Sequence, residues 1–122
     1  MEYAVGHHGE AGTAKIKMMT ADEIAEKMTL EVIDDLPFKA GDEVAVLING
    51  LGGTPQLELY ISYRRVKQML DEREIKVGCS YVGEFFTGLE MAGFSVTLMK
   101  LDDELKELLT APADTPCYKL MA

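Results

Sequence analysis

Val44-Ala45-Val46-Leu47-Ile48, emptying into Asn49-Gly50-Leu51-Gly52-Gly53-Thr54-Pro55, decides the fold. An unbroken apolar run of this kind is the pattern of a strand covered on both faces. The polar end of the stretch starts a helix, with Thr54 as N-cap and Pro55 as first helical residue. That helix is expected to bury Leu59, Tyr63, Val66 and Leu70, which recur at helical spacing.

Downstream, Ile75, Val77, Cys79 and Tyr81 alternate with Lys76, Gly78 and Ser80, which predicts a second strand. Phe94, Val96 and Leu98 alternate with Ser95 and Thr97 in a third. Asp102-Asp103 open a last short helix whose positive end suits their charge, with Leu105, Leu108 and Leu109 expected to point inward. Upstream, Thr20 and Glu23 form a capping box, and Ala25, Met28, Val32 and Leu36 make one stripe of the helix that follows. Leu36-Pro37-Phe38 ends it and Lys39-Ala40-Gly41-Asp42 reads as a turn. Tyr3-Ala4-Val5 is a short strand candidate, while Ile16 to Met19 is too short to assign. Strands and helices alternate without repeats or low-complexity linkers, which implies an α/β domain. Because the first strand begins almost at Met1, an edge strand or neighbouring domain is expected upstream.

At 122 residues the chain suits one domain with its own core, and 48% hydrophobic with 27% charged residues is an ordinary globular balance. No apolar run approaches the roughly 20 residues of a membrane span, and no signal segment opens the chain. Cys79 and Cys117 have neither metal-ligand nor framework spacing and read as buried or incidental thiols of a reducing compartment, pointing to the cytoplasm. A formal net charge of −9 argues against nucleic acid, whose phosphates select basic surfaces. The cluster Arg64, Arg65 and Lys67 lies among Asp71, Glu72 and Glu74, as on a solvated helix face.

The candidate chemistry starts at Gly6-His7-His8-Gly9-Glu10. Imidazole is nucleophilic and protonatable near neutral pH, and the flanking glycines allow close approach of a ligand. A tag remnant or a solvated loop histidine is the plainer alternative. The Gly50-Leu51-Gly52-Gly53-Thr54 loop after a buried strand invites a phosphate reading. It lacks the Gly-Lys-Ser/Thr ending of a phosphate-binding loop and misses the dinucleotide spacing, so a tight turn with close backbone approach is preferred. Glu84 and Glu90, either side of Phe85-Phe86-Thr87-Gly88, are an acid–base pair or a solvated loop. Asp34-Asp35 and Asp102-Asp103 are helix-end charges without metal-ligand spacing, and no serine sits in a Gly-x-Ser-x-Gly elbow.

Several of these motifs form a series. Gly6-x-His8-Gly9-Glu10, Asn49-Gly50-Leu51-Gly52-Gly53-Thr54 with Leu57-Glu58-Leu59-Tyr60, Gly83-Glu84-Phe85, Leu89-Glu90-Met91-Ala92-Gly93-Phe94-Ser95 and Leu101-Asp102-Asp103-Glu104-Leu105 together resemble the dihydroxyacetone kinase K-subunit family. The resemblance covers nearly the whole chain, in the family's order and approximate spacing. It implies a layered α/β domain with a mixed sheet, similar to the second, C-terminal domain of the K region. The first substrate domain and the nucleotide-binding L domain would lie outside this chain. It further implies that His8 binds a small ketose covalently as a hemiaminal, with Gly9 and Glu10 lining the substrate site. Glu10 either orients the imidazole or closes the turn. His7 stands where the family has an aliphatic residue, and Ala11 where it has a proline; His7 therefore competes with His8, although the spacing to Gly9-Glu10 favours His8.

The implied partners are a dihydroxyacetone-like ketose of three or four carbons, a first K domain, an L subunit or domain carrying Mg-ATP or Mg-ADP, and a second copy in a homodimer. Neither nucleic acid nor membrane is expected. The resemblance makes the chain a glycerone kinase component, a phosphotransferase part expected to be inactive in isolation. The alternatives are a non-catalytic ligand-sensing or regulatory paralogue and an inactive truncated fragment.

Overall fold

In a computed structural model, residues 1–6, 8 and 10–121 are described. His7 and Gly9 of the histidine loop lie outside the described residues. The elements in chain order are β1 (Glu2–Tyr3), β2 (Ala14–Lys15), α1 (Ala21–Asp35), β3 (Glu43–Gly50), α2 (Gln56–Glu72), β4 (Lys76–Gly83), β5 (Phe94–Lys100), α3 (Asp103–Thr110), β6 (Ala113–Asp114) and β7 (Lys119–Leu120).

The central sheet has the order β4-β3-β5. β3 runs parallel to β4 and antiparallel to β5, so the sheet is mixed, as expected. β3 owes its central place to its composition. Val44, Val46 and Ile48 point to one face and join Leu59, Val66 and Leu70 of α2 and Ala25 of α1 in the main core cluster. Ala45 and Asn49, which face the opposite way, are buried as well. Neighbouring residues on opposite faces are therefore both removed from water, as the unbroken apolar run requires.

α1 and α2 pack together on one face of the sheet. The capping box of α1 is formed as read: the Glu23 N–H donates to Thr20 Oγ1 at 3.3 Å, and the Thr20 N–H donates to Glu23 Oε2 at 2.7 Å. Of the stripe read on α1, Ala25 is buried and Met28 and Val32 are half-buried, while Thr29, outside that stripe, is buried as well. Leu36, placed on that stripe from the sequence, is instead the exposed C-cap, because Pro37 follows it. α2 buries Leu59, Val66 and Leu70 as expected, leaves Tyr63 half-buried against the core, and adds Ser62 and Met69.

Two further readings are corrected. Pro55, not Thr54, is the N-cap of α2, and it makes no side-chain cap. The Thr54 hydroxyl is committed elsewhere, donating to the Gly93 carbonyl at 2.9 Å. The α3 leucines do not all point inward: α3 has no buried residue, and Leu108 is 63% exposed. α3 is held instead by polar contacts to the sheet face opposite α1 and α2. Lys106 Nζ donates to Glu43 Oε1 at 2.6 Å, and the Tyr81 hydroxyl donates to the Leu109 carbonyl at 3.4 Å. The start of α3 is as expected, with the Asp102 carboxylate accepting from the Leu105 N–H at 2.7 Å.

Upstream of α1, β1 and β2 form a separate small hairpin in which Glu2 pairs with Lys15 and Tyr3 with Ala14, antiparallel. The strand is thus one residue earlier than Tyr3-Ala4-Val5, because Ala4 takes φ +56°, which breaks an extended run. Among the described residues no helix is long and apolar enough to cross a membrane.

Candidate functional site

The hairpin is a nested set of hydrogen bonds with His8 near its tip. At its base the Ile16 N–H donates to the Met1 carbonyl at 2.9 Å, and the Met1 amino group donates to the Ile16 carbonyl at 2.7 Å. Above that, the Thr13 N–H donates to the Tyr3 carbonyl at 2.8 Å. Nearer the tip, the Gly6 N–H donates to the Glu10 carbonyl at 3.2 Å. Gly12 is required here for space: a Cβ would stand 2.4 Å from the Tyr3 carbonyl oxygen.

The Glu10 carboxylate takes part in the same closure. Its Oε2 accepts from the His8 N–H at 3.0 Å. Its Oε1 lies 3.9 Å from His8 Nδ1, longer than a hydrogen bond. Glu10 therefore fixes the His8 backbone directly and touches the ring only electrostatically. The His8 side chain is 83% exposed. A nucleophilic ring on a closed turn, open to solvent, can meet an electrophile that is brought to it.

The base of the hairpin meets the body at Tyr3. Its ring is buried beneath Lys27 of α1, whose Nζ stands 4.6 Å from the ring centroid. Lys27 in turn donates to Glu31 Oε1 at 2.8 Å. Burial, and then the neighbouring Glu31 carboxylate, push the Tyr3 hydroxyl up to about 12.

A second feature lies at the carboxyl ends of β3 and β4. Asn49, buried at the end of β3, donates through Nδ2 to the Phe86 carbonyl at 2.7 Å. Its Oδ1 accepts from the Phe85 and Phe86 N–H groups at 2.9 and 3.0 Å. This fixes the start of the 84–91 loop. The far end of that loop is pinned to the glycine run, where the Gly53 N–H donates to the Met91 carbonyl at 2.8 Å and the Leu51 N–H to the Gly93 carbonyl at 3.0 Å. A Cβ on Gly53 would lie 3.0 Å from the Met91 carbonyl and the Ala92 nitrogen, and Gly52 takes φ +114°. Close backbone approach explains both glycines.

The cleft between these loops and the start of α2 has a volume of about 500 Å³ and is lined by residues including Gly53, Thr54, Gln56 and Glu84. Glu90 is not in its lining, so the pair Glu84 and Glu90 is not brought together there. His8 is not part of the cleft either. The lining of the cleft holds no cationic side chain to pair with the phosphates of a magnesium-bound nucleotide. The first turn of α2 carries Glu58, the lining carries Glu84, and no cationic side chain faces in from either. Among the described residues no group of three or more His, Cys, Asp or Glu could hold a metal ion. No chemical step is assigned to such a cofactor on this chain.

Beside the loop, Tyr81, Phe85 and Tyr118 meet edge to face, at centroid distances of 5.6 to 6.5 Å. The Tyr118 hydroxyl donates to that of Tyr81 at 3.4 Å. That bond, with burial and the nearby Cys79 thiol, raises the Tyr81 hydroxyl above its ordinary value. Sequence reasoning missed this cluster, the Asn49 clamp and the seat of Tyr3. A polar residue closing an apolar strand was the one available sign for Asn49; nothing in the spacing pairs Tyr81 with Tyr118 or Tyr3 with Lys27.

Comparison with known proteins identifies relatives over most of the chain. It is 43% identical to the PTS-dependent dihydroxyacetone kinase 2, dihydroxyacetone-binding subunit DhaK, of Listeria innocua, over 98% of this chain and 36% of that protein. It is 40% identical to the L-erythrulose kinase of Pectobacterium atrosepticum, over 98% of this chain and 21% of that protein. Among solved structures, the dihydroxyacetone kinase operon co-activator Dha-DhaQ superposes with a TM-score of 0.84 at 28% identity, over 91% of this chain and 35% of that one. The chain thus spans a minor part of the length of these relatives. The Dak1 domain model matches residues 1–117, and the mixed-sheet fold agrees with it: the chain belongs to the Dak1 domain family.

Proposed function

We propose that this chain is the ketose-capturing part of a dihydroxyacetone-type kinase, with His8 as covalent anchor. The observation that carries the reading is His8 itself, a largely exposed ring on a turn closed by Glu10 and Gly6, inside the matched Dak1 region. The ring nitrogen lone pair adds to the ketose carbonyl carbon and forms a C–N bond. The carbonyl π pair moves to oxygen, which takes up a proton as the other ring nitrogen gives one up. A neutral hemiaminal results. Such a bond holds a small, weakly binding triose in one pose, and positioning is a large part of phosphoryl-transfer catalysis. It also rejects glycerol, which has hydroxyls but no carbonyl. Phosphoryl transfer is assigned to a Mg-nucleotide on a separate L subunit or domain, with a first K domain completing the pocket. The assembly is a homodimer in the cytoplasm.

The test is the adduct with dihydroxyacetone, read by intact mass after borohydride-free quench or by carbonyl-¹³C NMR, with a first K domain supplied. Wild type and His7→Ala should form it and His8→Ala should not. Loss in His7→Ala with retention in His8→Ala would move the nucleophile to His7. The isolated 122-residue chain is expected to give no turnover with an L subunit alone.

A second reading is favoured by the likeness to the operon co-activator. In it, the same histidine captures the ligand and the domain reports occupancy to a regulator. Adduct formation without phosphoryl transfer, with both a first K domain and an L subunit present, would select that reading.

A further inference from the structure

We propose that Tyr3 is the positioning residue for His8, seating the histidine hairpin on α1 so that the ring is held where a carbonyl can reach it. The inference rests on the reading of His8 as the ketose anchor.

Two paired residues per strand are too few for the hairpin to be stable by itself in water. It must be held by packing on something else. Among the described residues 1–20, Tyr3 is the only buried one. It sits in the strand that enters the histidine loop, and its carbonyl receives the Thr13 N–H that closes the hairpin above the seat. The bonds nearer the tip, Gly6 to Glu10 and His8 to Glu10, are internal to the loop. They set the shape of the turn but not its place on the domain. Placement therefore falls to Tyr3, fixed by Lys27 over its ring and by the Lys27–Glu31 pair beside it. Covalent capture requires the nucleophile within a narrow range of angles and distances from the carbonyl carbon. A hairpin that rocks on its seat samples that range less often.

The test uses Tyr3→Ala, Tyr3→Phe and, as a control for general destabilisation, Val66→Ala in the α2 core. Amide hydrogen exchange is measured on the 122-residue chain, and dihydroxyacetone adduct affinity with a first K domain supplied, both well below the unfolding temperature. Tyr3→Ala should speed exchange at Thr13 and Ile16 at least tenfold, leave the Val46 amide unchanged and weaken the adduct about tenfold. Tyr3→Phe, which keeps the ring under Lys27, should restore most of both. Val66→Ala should lower the unfolding temperature yet leave adduct affinity as in wild type. Unchanged exchange in Tyr3→Ala overturns the proposal, as does faster exchange with full adduct affinity, or equal weakening by Val66→Ala. If His8→Ala itself retains the adduct, the reading of His8 fails, and with it the role given to Tyr3. Wild-type behaviour of Tyr3→Ala alongside loss in His8→Ala removes only the present inference.

Discussion

Asn49 and Phe86 are joined at both ends of one side-chain amide: Asn49 Nδ2 donates to the Phe86 carbonyl at 2.7 Å and Asn49 Oδ1 accepts from the Phe86 N–H at 3.0 Å. A buried amide satisfied this way converts the end of β3 into the template for the loop after β4. Removing it takes away the acceptor of the Phe85 N–H and both Asn49 contacts to Phe86, at about 1–3 kcal/mol for a buried polar interaction left unmade. Asn49→Ala should therefore lower the urea-unfolding free energy by about 2–3 kcal/mol. Asn49→Asp keeps the acceptor for both N–H groups but faces the Phe86 carbonyl with a second acceptor. It should be similarly destabilised at pH 7 and recover in part when the new carboxyl is protonated.

The two faces of the sheet predict opposite sensitivities. Ile48 is fully buried in the core between β3 and α2, and Ile48→Ala should cost about 2–5 kcal/mol. Leu108 on α3 is mostly exposed, and Leu108→Ala should change stability by under about 0.5 kcal/mol. Denaturant titrations of the two variants check the contrast.

Stability should fall at both pH extremes through one ion pair. The hydrogen bond that Lys106 donates to Glu43 holds the Glu43 carboxyl below its ordinary value of 4.5 and raises the Lys106 ammonium above its ordinary 10.5. A depressed carboxylate contributes stability that is complete above its ordinary value and is lost as pH falls through the lowered folded one. A raised ammonium contributes stability that is complete below its ordinary value and is lost as pH rises through the raised folded one. Glu43→Gln should flatten part of both limbs of the unfolding midpoint plotted from pH 3 to pH 11. Limbs identical to wild type would exclude the pair as their source.

Gly53 of the glycine run and Gly41 of the turn before β3 should tolerate substitution unequally. Gly53→Ala drives a methyl against the Met91 carbonyl and the Ala92 nitrogen, both backbone, so something must shift. A loss of about 1–3 kcal/mol is expected, with weaker exchange protection at Leu51 and Gly53. At Gly41, φ is +90° but nothing lies within 4 Å of an added Cβ. Gly41→Ala should show only the backbone strain, about 1–2 kcal/mol.

Much of the fold was legible because it rests on local periodicity. The β3 run, the α2 stripe through Leu59, Val66 and Leu70, and the Thr20–Glu23 capping box were read and found in place. α3 was misread in part because a helical leucine spacing says that one face is apolar, not that something covers it. The α2 cap was misassigned because Thr54 has two uses for one hydroxyl, and the Gly93 carbonyl, 39 residues away in sequence, takes it. The His8 turn was legible as a motif, yet its seat on Lys27 was not.

The sequence by itself determined the α/β alternation, the central buried strand and the family to which the chain belongs, since each is written in neighbouring residues or in a short ordered series of them. Tertiary structure alone decided which polar groups meet: Asn49 with Phe86, Glu43 with Lys106, Thr54 with Gly93, and Tyr3 with Lys27. The physical reason is range. Periodicity acts over one or two turns of chain, whereas a hydrogen bond or a buried ring is satisfied by whatever the fold brings within about 3–6 Å.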